Sequence, residues 1–228
     1  SASLIDLQTY YVSKDGSDTN SGLNIGEPKL TITSAISAAS AESGEHTIQV
    51  LDDGIYDEQI TLTPGLSLFA PFATIAGQII MGINNHVKVD KHYRPTTSSV
   101  SNNTLLLCSY STSSGSSSYY EANLVDTREI DGTDFVNQTA IKLAPSPLWK
   151  SDLHVKIGIL RLGEGGRGLT NEGTSFNTLY FDINNIELHD VNGKGIYTGT
   201  SDTFGAQYIG KIGKILSYSG IGDTGIFI

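Results

Sequence analysis

The stretch that decides the fold is residues 28–62, P-K-L-T-I-T-S-A-I-S-A-A-S-A-E-S-G-E-H-T-I-Q-V-L-D-D-G-I-Y-D-E-Q-I-T-L. Ile32, Ala35, Ile36 and Ala39 fall at helical spacing with Ser34, Ser37 and Ser40 opposite them, which predicts a short amphipathic helix over about residues 32–42. Thr31 or Thr33 can cap it by accepting a hydrogen bond from a first-turn N–H. Pro28 precedes the cap, where its missing N–H costs nothing. After residue 46 the period changes to two. Ile48 and Val50 alternate with polar neighbours, Asp53-Gly54 makes a turn, and Ile60 and Leu62 alternate again.

Strands follow in quick succession, at 47–51, 59–63, 66–69, 74–76, 78–81 and 86–90, separated by Gly, Pro or Asn. A strand at 9–13 precedes them, and another is expected at 104–109. They are too short and too frequent for a sandwich of regular hairpins. A small helix before such a series would cover the first strand edges of a stack. Residues 1–8 read as a linker or expression remnant. Residues 9–228 read as one β domain carrying a long polar insertion around 111–137, within a longer natural chain.

Internal repetition points the same way. Gly168-Leu169, Gly195-Ile196 and Gly225-Ile226 recur 27 and 30 positions apart, each preceded by an alternating strand: 157–162, 183–188 and 212–218. At an offset of 30, Ile186 aligns with Leu216 and Leu188 with Tyr218. A repeat of this size implies stacked units that bury their faces against one another. The last residues, G-I-F-I, stop in mid-coil, so a fragment, a trimeric assembly or both is expected.

Four segments carry a resemblance: Y-Y-V-S-K-D-G-S-D-T-N-S-G (10–22), P-x-x-T-I-x-x-A-I (28–36), G-I-Y-D-E-Q-I (54–60) and A-T-I-A-G (73–77). Together they are similar to the entry sequence of pectin-lyase-like right-handed parallel β-helix proteins, bacteriophage tailspikes and receptor-binding adhesins most of all. The resemblance covers about a third of the chain. It implies an all-β fold, a right-handed parallel β-helix (solenoid) with an N-terminal capping helix. It further implies a virion tail appendage, extracellular and homotrimeric, that presents a carbohydrate-binding surface to the host envelope. Secreted polysaccharide lyases and glycoside hydrolases share the entry sequence, and a purely structural shaft is a third possibility.

Composition narrows the partners. With 24 acidic against 14 basic residues and a formal charge of −10, nucleic acid and anionic membranes are poor partners, and no stretch is long enough to span a bilayer. Cys108 stands alone and reads as a small buried side chain. No cofactor or metal is expected. Asp15, Asp18 and Asn20 lack the downstream Glu of a calcium loop, and the five His are not at ligand spacing.

With Ile186 and Leu188 inward, Asp182, Glu187 and His189 point outward, and Asp190 lies at the next corner. Asp182, Glu187 and Asp190 are therefore the candidates for a glycosidase carboxylate pair, which needs a separation of roughly 5 to 9 Å. Arg161, Glu164 and Arg167 are the nearest to a lyase set, with a turn salt bridge as the plainer role. Tyr197, Phe227, His189, Tyr119 and Tyr120 are the candidates for binding sugar or lining a subunit interface, Tyr197 and Phe227 stacking one repeat apart. Trp149, after Pro145-Ser146-Pro147, reads as a plug over an apolar end.

Overall fold

The computed structural model describes residues 7–95, 104–109, 116–133, 138–144, 151–172, 177–189, 193–197, 207–218 and 224–227. These residues form one helix, α1 (Ile32–Ser40), and sixteen strands. The strands are β1 (Gln8–Val12), β2 (His46–Val50), β3 (Ile55–Tyr56), β4 (Ile60–Thr61), β5 (Ser67–Ala76), β6 (Ile79–Met81), β7 (His86–Tyr93) and β8 (Thr104–Cys108). They continue with β9 (Ser116–Asp126), β10 (Thr139–Leu143), β11 (Ser151–Leu162), β12 (Arg167–Asn171), β13 (Thr178–Leu188), β14 (Lys194–Tyr197), β15 (Gln207–Ser217) and β16 (Thr224–Phe227).

From β4 onward the chain alternates between two sheets. One runs β1-β2-β5-β7-β9-β11-β13-β15, with β3 beside β5; the other runs β4-β6-β8-β10-β12-β14-β16. Every pairing among these strands is parallel. Parallel neighbours cannot be joined by a tight hairpin, so each return needs a crossover. From β4 onward that crossover is a strand of the opposite sheet, whereas between β1 and β2 it contains α1. The architecture is all-β with stacked parallel strands, compatible with a parallel β-helix and distinct from a closed barrel.

The core lies between the sheets and is built from columns of like side chains. Ile75, His92, Val125, Leu160 and Ile186 succeed one another in register on one side. Ile60, Ile79, Leu106, Ile141, Leu169 and Ile196 do so on the other, and Ile60 through Leu169 are fully buried. Cys108 is buried among them, as expected of a lone thiol.

The long strands do not alternate throughout. Inward positions are three apart at Val89 and His92, Ala122 and Val125, Ile157 and Leu160, and Ile183 and Ile186, while the two residues between each pair are less buried. A strand of period two shows this only where it turns a corner, so the large sheet has two faces. Gly158 and Gly213 occupy the corner, where an added Cβ would lie 2.5 Å from the carbonyl oxygens of Asn123 and Asn184.

Helix α1 sits against β1, β2 and β4, the first strands of both sheets, and buries Ile32, Ala35, Ile36 and Ala39. Thr31 is the cap, its Oγ1 accepting from Ser34 N at 3.1 Å. Glu58 accepts from Ile32 N at 3.1 Å and Thr33 N at 2.8 Å, completing the first turn. Asp18, weighed above as a calcium ligand, accepts from Leu30 N and Thr31 N and tethers the entry loop to the helix.

Two expectations need correction. Residues 116–126, placed in an insertion, are β9, a central strand of the large sheet. Its serine-rich start hides the inward set Tyr120, Ala122 and Val125, all buried. Ile186 pairs with Ile215 and Leu188 with Ser217, an offset of 29. Ile196 and Ile226 keep the offset of 30. The connection after β15 is one residue longer than that after β13, so aligning on the glycines slips the strand by one.

Candidate functional site

Outward residues on the first face of the large sheet form two parallel columns two residues apart, about 7 Å along each strand. The first column is His86, Tyr119, His154, Tyr180 and Ile209; the second is Lys88, Glu121, Lys156, Asp182 and Lys211. Between them runs a groove of about 570 Å³, lined also by Tyr120, Val155, Phe181 and Gly210, the residues between the two columns. It crosses the strands at right angles, so each strand contributes one level, about 4.8 Å from the next.

The first wall is a stack of rings. His154 lies between Tyr119, at 4.6 Å and 15°, and Tyr180, at 4.5 Å and 4°. His86 continues the column towards β7 at 5.8 Å with a tilt of 57°. Rings stacked face to face spend their faces on one another and turn their edges to solvent. The wall therefore offers tyrosine hydroxyls and imidazole nitrogens in a row, rather than open aromatic faces.

The second wall alternates in charge. Glu121 accepts from Lys88 at 3.3 Å and Lys156 at 3.4 Å, and Asp182 pairs with Lys211 at 3.2 Å. Partial burial on its own would raise the Glu121 carboxyl. The hydrogen bonds and charges of Lys88 and Lys156 outweigh it and hold that group below the usual carboxylate range. Glu121 is thus fixed as an anion, suited to accept hydrogen bonds and unsuited to donate a proton at neutral pH.

The proposed carboxylate pair is not brought together. Asp182 lies in the groove, whereas Glu187 lies beyond the corner on the same strand. The strand turns its corner between Ile183 and Ile186, so the two outward carboxylates stand on different faces of the sheet rather than across one groove. Glu187 instead accepts from Arg161 Nε at 2.8 Å and contacts His189 Nε2 at 3.1 Å. Arg161 also reaches Asp126 at 3.4 Å, and Arg128 grips Asp126 through Nε and Nη2 at 3.0 and 2.9 Å. Partial burial would raise the Glu187 carboxyl, but the bonds from Arg161 and His189 outweigh it and keep it low. Arg161 therefore pairs across strands rather than within its own turn.

Among the aromatic candidates, Tyr119 is half exposed on the groove wall, as a binding role requires. Tyr120 is not on that surface: the next residue along a strand points to the other face, and it is buried in the core with its hydroxyl on His92. His189 stacks on Tyr218 at 4.6 Å, beyond the corner. Tyr197 and Phe227 are paired in register, as the repeat predicted, but their side chains lie outside the described set. Asp190 and Trp149 lie outside the described residues altogether. His86, His154, Tyr180 and Glu121 were not singled out from sequence; alternating His/Tyr and Lys/Asp/Glu two positions apart in successive strands was the available signal.

No group of His, Cys, Asp or Glu among the described residues could hold a metal ion, and no described helix is long and apolar enough to cross a membrane. Comparison with protein-family models, with curated proteins and with solved structures finds no match to this chain.

Proposed function

We propose that this chain is a right-handed parallel β-helix module of a bacteriophage tailspike or related receptor-binding appendage. In this reading it holds a strand of host surface polysaccharide in the groove between the ring wall and the charged wall. The two parallel sheets, the helix against their first strands and the entry-sequence resemblance support the fold. The single observation that carries the function is the groove itself, one chain wide and lined in register by hydrogen-bonding edges and paired charges.

A polysaccharide needs a long, shallow track with donors and acceptors for its hydroxyls and apolar surface for its C–H faces. The groove supplies the first from its walls and the second from the ring edges and exposed Ile209, on backbone paired in the strand ladders and therefore rigid. The appendage reading also entails a homotrimer exposed outside the cell. Binding of the chain to lipopolysaccharide and capsule preparations, with Tyr119→Ala and Lys156→Ala alongside, tests the groove; sedimentation mass tests the trimer. Retained binding in both variants excludes this site.

A further inference from the structure

The two columns that wall the groove do not stop at His86 and Lys88. Register carries the first through Ser67 and Thr47 to Thr9, and the second through Phe69 and Gln49 to Tyr11. All six alternate with buried residues, so all six face outward, and Phe69 is 41% exposed. The character of the walls changes at β5. The levels of β7 to β15 alternate in charge in the second column, whereas β1, β2 and β5 contribute no charge to either wall.

We infer that the binding track continues over these three levels as an uncharged subsite for the same extended glycan. This rests on the groove reading above and adds to it the length and chemical class of the ligand. Eight levels span about 34 Å. Three small hydroxyl-bearing side chains on one side leave room for a sugar ring. On the other, Phe69 has no aromatic residue opposite it on β2 or β7, only Gln49 and Lys88, so its ring face is open to a sugar's C–H face in a way the stacked rings are not. Thr47, Gln49 and Tyr11 supply donors and acceptors but no charge to compensate an anion. The charged levels beyond carry Lys88, Lys156 and Lys211 beside Glu121 and Asp182, so it is the three charge-free levels that set the class here. The ligand selected for them is an uncharged stretch of a linear polysaccharide.

The test is calorimetric titration of the intact chain with trisaccharides and octasaccharides cut from cellulose, dextran and mannan, with polygalacturonate octamers as the anionic control. At least one neutral octasaccharide is expected to bind about tenfold more tightly than its trisaccharide. Phe69→Ala erases that gain, and Thr47→Val, which keeps the side chain's shape, reduces it. Equal binding of trimer and octamer, a gain that survives Phe69→Ala, or tightest binding by polygalacturonate overturns the extension. Absence of binding by every polymer, and by the lipopolysaccharide and capsule preparations above, overturns the groove reading beneath it.

Discussion

His92 of β7 and Tyr120 of β9 are hydrogen-bonded inside the core, Nδ1 to Oη at 2.8 Å, with the His92 Nε2 at 2.7 Å from the Gly77 carbonyl. A carbonyl only accepts, so Nε2 carries the proton and Nδ1 accepts the tyrosine hydroxyl. The ring is fully buried and neutral, and burial pushes its pKa down to about 4.

That relationship makes the fold acid-sensitive. An unfolded histidine titrates near about 6.5, so between that value and about 4 the unfolded chain binds a proton that the folded chain refuses. Stability is intact above this window and falls as pH drops through it, by about 2 kcal/mol between pH 7 and pH 5. His92→Leu loses about 2 kcal/mol at pH 7 by orphaning the Tyr120 hydroxyl and Gly77 carbonyl, and removes that part of the pH dependence. Urea unfolding of both proteins at the two pH values checks it; equal slopes would show that His92 is not the group responsible.

The Arg161–Glu187 pair is structural in this account. Glu187→Gln is expected to cost about 1 kcal/mol at neutral pH, because Arg161 keeps Asp126 as a partner. A depressed carboxyl contributes its stability above the ordinary Glu range and loses it as pH falls through the folded value, so wild type and variant converge in acid. Glycan binding and any oligosaccharide release stay at wild-type levels. Loss of release in a well-folded Glu187→Gln protein would return this residue to the catalytic candidates.

The corner of the large sheet leaves no room for a side chain at Gly158. Its Cβ would meet backbone, 2.5 Å from the Asn123 carbonyl, which cannot step aside without breaking the ladder between β9 and β11. Gly158→Ala is expected to destabilise by about 2 kcal/mol or more, whereas Gly26→Ala, whose nearest neighbour would be the Asn24 side chain at 3.6 Å, stays within about 0.5 kcal/mol. Matched denaturation midpoints for the two variants would remove the corner from the account.

Much of this was legible in residues 28–62. Period 3.6 gave way to period two at the right place, and Ile32, Ala35, Ile36 and Ala39 are the buried face of α1. Ile186 and Leu188 do point inward. What failed has a common cause. Turn lengths in a stack vary by single residues, and a slip of one inverts a strand, which is how Leu216 was set opposite Ile186 instead of Glu187. The groove was hidden for the same reason. His86, Tyr119, His154 and Tyr180 are 33, 35 and 26 residues apart, and only the register of four separate strands puts them in one column. Glu187 looked available because its alternation was readable and its partner Arg161, on the strand before, was not.

The most direct test measures how distance grows along the outer column. On a Cys108→Ser background, spin labels are paired between position 209 and positions 86, 67, 47 and 9, and the separations read by pulsed electron spin resonance. Stacked parallel strands in register predict increments of about 4.8 Å per level, from about 19 Å for position 86 to about 34 Å for position 9, whatever the sequence separation. Distances that fail to grow level by level, or that shorten towards position 9 as in two sheets packed face to face, would contradict the stack and the groove built on it.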